Sequence, residues 1–296
     1  MGSESEAEGT KGSCGGKCPI TLEYSLSKKH DKLIAMNVVE QAPLFKIDSL
    51  QFKYPKANSP LLDNLDLKVF SGDAVGVTGP SGSGKTTLLK LLSCLETPTF
   101  GQILFEGRTL NRLDIKSSLE LSQKIGMSFQ RGGLLDYFSV SGNIEFALKE
   151  LTDLNLTQRR ALVADALNKV GLFEARNQQL KELSGGMLKR LSLARAMALK
   201  PKVLLLDEPT AGLDPVTSTE IVELIKNYKN ENLATVLLVS TDLSVLYSMS
   251  NKIGILWAGR FIQMGTFNEL KQSSDPVVQQ YLFGRLEGPL TGKFHA

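Results

Sequence analysis

From residue 44 onward the apolar positions recur in two rhythms. Leu44 to Phe52 (LFKIDSLQF) alternates weakly between apolar and polar residues, as a half-buried strand does, and Leu65 to Phe70 alternates more strictly. Ser71-Gly72-Asp73 reads as a turn. Ala74 to Thr78 (AVGVT) is an unbroken run, expected of a strand covered on both faces. A glycine-rich loop follows, and Thr86 to Leu92 then presents the wide apolar face of a helix. Gly101 to Gly107 reads as a strand entering a turn. Residues 143–200 are predominantly helical in pattern, with gaps. Val203–Leu206 and Ala234–Ser240 form second and third buried strands, with an amphipathic helix over Ser218–Asn230 between them. Ile253–Trp257 and Phe261–Met264 read as a closing hairpin around Ala258-Gly259-Arg260. Strands alternating with helices imply a parallel sheet with helices on both faces. The helical block between the first two buried strands is too long for a simple crossover, so an inserted subdomain is expected there.

Composition narrows the class. The chain has 296 residues, 42% of them hydrophobic and 22% charged, enough to bury a large core without metal or disulfide staples. A net charge of +3 is too mild to point to nucleic acid, and no nucleic-acid partner is expected. No uncharged apolar run approaches the ~18 residues that span a bilayer, which leaves docking onto a membrane-spanning partner open. Three cysteines, Cys14, Cys18 and Cys94, do not make a disulfide framework. Cys14 and Cys18 form at best half of a metal site with His30 as a third ligand; a reduced, flexible tail is the competing reading. Residues 1–18 are rich in Gly, Ser, Glu and Lys and lack the apolar segment of a secretory signal. An N-terminal extension over 1–43, at least partly disordered, is therefore expected, with 19–43 adding a strand or loop. His30 and His295 are the two histidines of the sequence.

The chemistry begins at Gly79-Pro80-Ser81-Gly82-Ser83-Gly84-Lys85-Thr86, which fits G-x-x-x-x-G-K-[ST] and sits after a strand and before a helix. Its glycines let backbone N–H groups converge on phosphate oxygens, and the helix adds its positive end. Lys85 supplies a full charge to the β- and γ-phosphates, and Thr86 offers a hydroxyl to Mg²⁺. Such a loop requires an acidic strand end to complete the metal site, and Asp207 and Glu208 follow the second buried strand. There Asp207 holds Mg²⁺ through water and Glu208 polarises the attacking water. A glycine-rich turn and a polar turn after a strand are the bland alternatives. Leu183-Ser184-Gly185-Gly186-Met187 opens another helix and is a further anion-binding geometry, although Ser-Gly-Gly also opens ordinary helices.

In this order the elements resemble the ATP-binding cassette (ABC) ATPases over about residues 44–270. The resemblance implies an α/β fold: a P-loop NTPase (RecA-like) core with an antiparallel β subdomain and a helical subdomain inserted at about 132–197, followed by a C-terminal extension over 271–296. It also implies ATP and Mg²⁺ as cofactors, with ATP sandwiched between two copies of the cassette. Carried across by position, Gly79, Pro80, Ser81, Gly82, Ser83, Gly84, Lys85, Thr86 and Thr87 form the Walker A cradle. Gln130 resembles the Q-loop residue that touches Mg²⁺ and senses the transmembrane partner. Ser184, Gly185 and Gly186 resemble the signature contacts to the other subunit's γ-phosphate. Asp207 and Glu208 resemble the Walker B pair, and Asp214 the D-loop aspartate. Tyr54 sits where the family places an aromatic on the adenine, with an exposed strand-end tyrosine as the alternative.

Softer signals narrow the subfamily. Gln130 to Val140 followed by Asn143-Ile144, the signature ending in Met187, and the tail Val277 to Gly284 with Gly288-Pro289-Leu290 are similar to the Mce-associated, lipid-transporting ATPases of diderm bacteria. The implied protein is a peripheral subunit on the cytoplasmic face of the inner membrane, paired with a second ATPase subunit. It is bound to an integral membrane permease and an Mce-domain protein, and it moves phospholipid. By the same resemblance Tyr281, Leu282 and Phe283 anchor on the neighbouring ATPase subunit; a local apolar clasp or a frayed tail is the alternative. A small-solute importer, a lipoprotein-release system and a nucleotide-sensing adaptor remain competing functions.

One departure stands out. The family has Ser-His-Asp after the third buried strand, where this chain reads Ser240-Thr241-Asp242. Thr241 still offers a donor and an acceptor to a phosphate oxygen but carries no charge and has less reach. Losing one such transition-state contact lowers turnover by about 100-fold or more, so the expectation is slow hydrolysis or a composite dimer in which a partner supplies the missing group. Thr241→His should then raise steady-state phosphate release well above the parent; equal rates would show that Thr241 limits nothing.

Overall fold

The computed structural model describes residues 42–130 and 133–291. Most of the expected N-terminal extension, with Cys14, Cys18 and His30, and also Arg131, Gly132 and His295, lie outside the described residues. The first sheet is antiparallel, in the order β2-β1-β4-β5, from β1 (Phe45–Phe52), β2 (Leu62–Val69), β4 (Phe100–Phe105) and β5 (Arg108–Thr109). Its β2 alternates between buried and exposed positions, the pattern of a strand with one wet face.

The second sheet comprises β3 (Ala74–Thr78), β6 (Ile125–Ser128), β7 (Val203–Asp207), β8 (Thr235–Val239), β9 (Lys252–Trp257) and β10 (Arg260–Gly265). Its order is β10-β9-β3-β8-β7-β6, parallel from β9 to β6, with β10 antiparallel at the edge. All five residues of β3, of β7 and of β8 are buried, in keeping with their uninterrupted apolar sequence. Alternate residues of one strand serve opposite cores. Val203 and Leu205 join a cluster with the first sheet and with α1 (Lys85–Leu92), whereas Leu204 and Leu206 join a cluster with the helices on the other face. Val77 pairs with Val239, and Val239 with Asp207, so the carboxyl ends of three adjacent strands finish level. That is where ligands bind in open α/β sheets.

Among the described residues, three α-helices and a short 3-10 turn (Leu180–Glu182) occupy the stretch between β6 and β7: α3 (Val140–Leu151), α4 (Leu156–Lys169) and α5 (Gly185–Met197). Ser139, Asn155 and Ser184 cap them through side-chain oxygens, and Asn155 with Gln158 forms a reciprocal capping box. The hydrophobic pattern gave no hint of α2 (Ile115–Lys124) or of β6 as a sheet strand. Only Leu121 of α2 is buried, and the four residues of β6 are too short a run to stand out. α6 (Pro215–Asn232) starts three residues earlier than its periodicity suggests, because Asp214 caps it and Pro215 takes the first turn. Downstream lie α7 (Leu243–Met249), α8 (Phe267–Lys271) and α9 (Pro276–Phe283). No described helix is long and apolar enough to cross a membrane.

The second sheet meets α5 at Gly126, where an added Cβ would lie 2.1 Å from the Ala196 carbonyl oxygen and 2.9 Å from Pro201. Backbone cannot yield as a side-chain tip does, so Gly126→Ala should cost about 1–3 kcal/mol. A urea titration reads this as a lower midpoint with an unchanged slope; a parental midpoint would show that α5 shifts without cost.

Candidate functional site

At the level strand ends the chain turns sharply and brings charge out of the core. The loop after β3 begins at Gly79, with φ +147, where a Cβ would lie 2.0 Å from the Leu256 carbonyl oxygen; only glycine fits there. The loop ends at Gly84, which enters α1 in a left-handed conformation. Lys85 is 8% exposed, and its Nζ donates to the carbonyls of Gly79 (2.8 Å) and Pro80 (2.9 Å), folding the ammonium under its own loop. Burial pushes its pKa down, while Glu208 and Asp207 push it back up. The buried Ser83 hydroxyl has no hydrogen-bond partner among the described residues.

Asp207, the last residue of β7, is 2% exposed and accepts a hydrogen bond from Thr86 Oγ1 at 3.2 Å. Its burial raises its pKa; the Thr86 bond, Lys189 and Lys85 oppose the shift. Glu208 is also buried, and its backbone sits at φ +47, a left-handed conformation unusual for glutamate. Four kinds of contact hold it there. Its amide donates to the Val239 carbonyl (2.9 Å), and its own carbonyl accepts from Lys189 Nζ (2.9 Å). Its Oε1 accepts from the Thr241 amide (2.9 Å), and its Oε2 from Ser240 Oγ (3.3 Å). Strain persists where surroundings over-determine it in this way.

A cleft of about 350 Å³ gathers Ser81, Gly82, Gly84, Lys85, Thr86, Thr87, Gln130, Asp207, Glu208 and Thr241. A larger cleft of about 810 Å³ runs along the other flank of the same loop but lacks Lys85 and both carboxylates, so the smaller one carries the chemistry. Other residues singled out from the sequence lie outside it. Ser184, Gly185 and Gly186 form the exposed start of α5, where Ser184 Oγ accepts from the Met187 amide at 3.3 Å. Asp214 caps α6, accepting from the Val216 and Thr217 amides at 3.0 Å each. Tyr54 is half-buried, edge-on to Phe52 with centroids 4.8 Å apart, and its hydroxyl lies 3.1 Å from Thr87 Oγ1.

The sequence reading gave no structural role to three polar residues. Lys189 Nζ donates at once to the carbonyls of Gln130 (2.7 Å) and Glu208 (2.9 Å), tying α5 to two loops of the cleft. Burial lowers its pKa, while Asp207 and Glu208 raise it. The available signal was its i,i+4 relation to Gly185, which places it on the same helix face. Ser240, fully buried, fixes the Glu208 carboxylate; as the residue before the substituted position it drew no notice. Asn143, also fully buried, bonds Leu135 through its amide and carbonyl and donates to Ser139 O (3.0 Å), fastening the loop beyond Gln130 to α3.

The donor set suits a hard cation. A threonine hydroxyl and a buried carboxylate already in contact are oxygen ligands of the kind Mg²⁺ takes, and an unpartnered buried serine hydroxyl beside a lysine suits a phosphate.

The profile of a family described as ABC transporter matches residues 62–211. The chain is 38% identical over 253 residues to the intermembrane phospholipid transport system ATP-binding protein MlaF of Haemophilus influenzae, covering 86% of this chain and 95% of that one. It is 36% identical to the TRIGALACTOSYLDIACYLGLYCEROL 3 protein of Arabidopsis thaliana, over 78% of this chain and 71% of that one. To the methionine import ATP-binding protein MetN of Corynebacterium efficiens it is 34% identical, over 74% and 61%. Among solved structures, the dimeric post-hydrolysis state of the ATP-binding cassette MJ0796, bound to ADP and Pi, superposes with a TM-score of 0.70. It is 29% identical, over 75% of this chain and 98% of that one.

Lys189→Met removes the ammonium that gathers two carbonyls. It should lower kcat on the order of tenfold, through lost positioning of Glu208, and shift ATP affinity far less. Phosphate release with a parallel nucleotide titration checks this; an unchanged kcat would leave Lys189 a packing residue.

Proposed function

The chain belongs to the ABC transporter family as its ATP-hydrolysing subunit, and from that premise we propose that it powers phospholipid movement through a separate membrane permease. The observation that carries the lipid reading is the match to phospholipid transport ATP-binding proteins, which extends over 95% of the Haemophilus influenzae chain. A methionine-import reading has support from MetN, but there the match spans 61% of the relative. In the same reading the chain sits peripherally on the cytoplasmic face of the inner membrane, the permease docks beside Gln130, near exposed Tyr137 and the Phe138–Phe146 pair, and an Mce-domain protein completes the system.

The working unit is a pair of subunits. In one chain the Ser184-Gly185-Gly186 turn lies outside the cleft that holds Lys85, so a second copy is needed to bring such a turn to the γ-phosphate. Within each cleft the residues divide the work. Backbone N–H groups from Gly82 to Thr86 and the start of α1 cradle the phosphates, and Lys85 moves from its loop carbonyls to the developing negative charge. Thr86 and Asp207 are the residues that would hold Mg²⁺, with Gln130 at the edge; the ion would supply charge neutralisation for the phosphates. Glu208 takes the proton of the attacking water. Its carboxylate is aimed by the Thr241 amide and the Ser240 hydroxyl, so Thr241 serves this step through its backbone whatever its side chain adds. With no imidazole at that position, turnover is slow.

Reconstitution with the co-purified permease in vesicles carrying a labelled phospholipid tests the reading. The parent should move lipid on addition of ATP, whereas Glu208→Gln should bind ATP, accumulate as a closed dimer and move none. Transport of methionine instead of lipid would assign the chain to solute import. Parental hydrolysis by Glu208→Gln would remove Glu208 from its role.

A further inference from the structure

The C-terminal helix reaches the nucleotide loop of its own chain. α9 is capped by Asp275, whose carboxylate accepts from the amides of Val277 (2.8 Å) and Val278 (3.2 Å), and Val278 is fully buried in the core. Gln280 is 6% exposed and pins the following segment, donating to Arg285 O (3.2 Å) and Thr291 Oγ1 (2.7 Å) and accepting from the Leu290 amide (2.7 Å). The next residue, Tyr281, places its hydroxyl 2.8 Å from Thr78 Oγ1 and 3.1 Å from both the amide nitrogen and the carbonyl oxygen of Gly79. Thr78 ends β3, and Gly79 is the first residue of the cradle.

A phenol has one proton and accepts through oxygen lone pairs. The Tyr281 oxygen therefore accepts from Gly79 N–H and gives its proton to the Gly79 carbonyl or to Thr78. That same carbonyl accepts from Lys85 Nζ at 2.8 Å, so the tyrosine and the lysine meet on one peptide. The loop's outer flank faces the 810 Å³ cleft between Pro80–Ser83 and α9 with its following segment, and not packed protein. Burial raises the phenol's pKa, so it remains a donor at neutral pH.

We propose that Tyr281 is a positioning residue for ATP: from the C-terminal helix it fixes the Gly79 peptide and, through the shared carbonyl, the entry of the loop and the starting place of Lys85. The inference rests on reading Gly79–Thr86 as the nucleotide cradle. A ring serving only as apolar filler has no use for three polar contacts at a strand-to-loop junction. It also links the docking of residues 275–291 to nucleotide affinity, and such linkage is reciprocal.

Tyr281→Phe in the full chain keeps the ring and removes the hydroxyl. The dissociation constant for ATP, from titration with a fluorescent ATP analogue, should rise about five- to tenfold. KM should follow it, with kcat changing less and the melting temperature nearly unmoved. Thr78→Val should weaken binding too, and the double variant should lose less than the two effects combined. Affinity within twofold of the parent overturns the proposal, as does a defect confined to association between copies. Lys85→Ala separates this inference from the one beneath it. If that variant loses turnover while Tyr281→Phe behaves as parent, only the clamp is wrong; if both behave as parent, the cradle itself is.

Discussion

Everything in the cleft follows from placing three charges, Lys85, Asp207 and Glu208, where protein and not water surrounds them. Each is at least nine-tenths buried, and desolvation works against the charged forms of Lys85 and Asp207. The fold offsets this with paired sign and with carbonyl and hydroxyl partners, all delivered by the level ends of β3, β7 and β8. A site arranged this way is strongly electrostatic toward a polyphosphate, because fixed dipoles need no reorganisation when charge arrives. The left-handed backbone of Glu208 is the strain this arrangement tolerates, and contacts from β8, α5 and the turn after β8 keep it in place.

The helices between β6 and β7 take part in that arrangement. α5 presents the Ser184 turn outward at its start and, one helical turn later, sends Lys189 back to Gln130 and Glu208. One rigid element thus bears the surface proposed to meet a second subunit and the ammonium that organises its own cleft. A shift of α5 would change both together, a physical route by which closure of a pair and readiness of the base can be coupled.

Substitution at position 241 looks less drastic in the structure than in the sequence. The amide of Thr241 orients Glu208, a duty any residue but proline performs, and Ser240 supplies the other contact. What threonine cannot supply is a charged reach toward phosphate. The C-terminal segment likewise looks different once folded. Tyr281 and Leu282 pack within their own chain and Phe283 stands exposed, so the segment has an intramolecular role whatever else it touches.

The sequence by itself determined the parts whose physics is local. Glycines at fixed spacing, an ammonium at a helix start, an acidic pair after a buried apolar run and the period-two and helical rhythms were legible because each depends on a few consecutive residues. They led to the ABC ATPase fold that the comparisons show. Tertiary structure alone decided what depends on the crossing of distant segments. The strand order β10-β9-β3-β8-β7-β6 is one case, and the bond from Tyr281 to Gly79, 202 residues away, is another. Lys189 reaches a carbonyl 59 residues off, and a backbone carbonyl leaves no mark in the residue type that bears it. Such contacts join a side chain to a peptide group common to every residue, and only the folded chain says which peptide lies within reach.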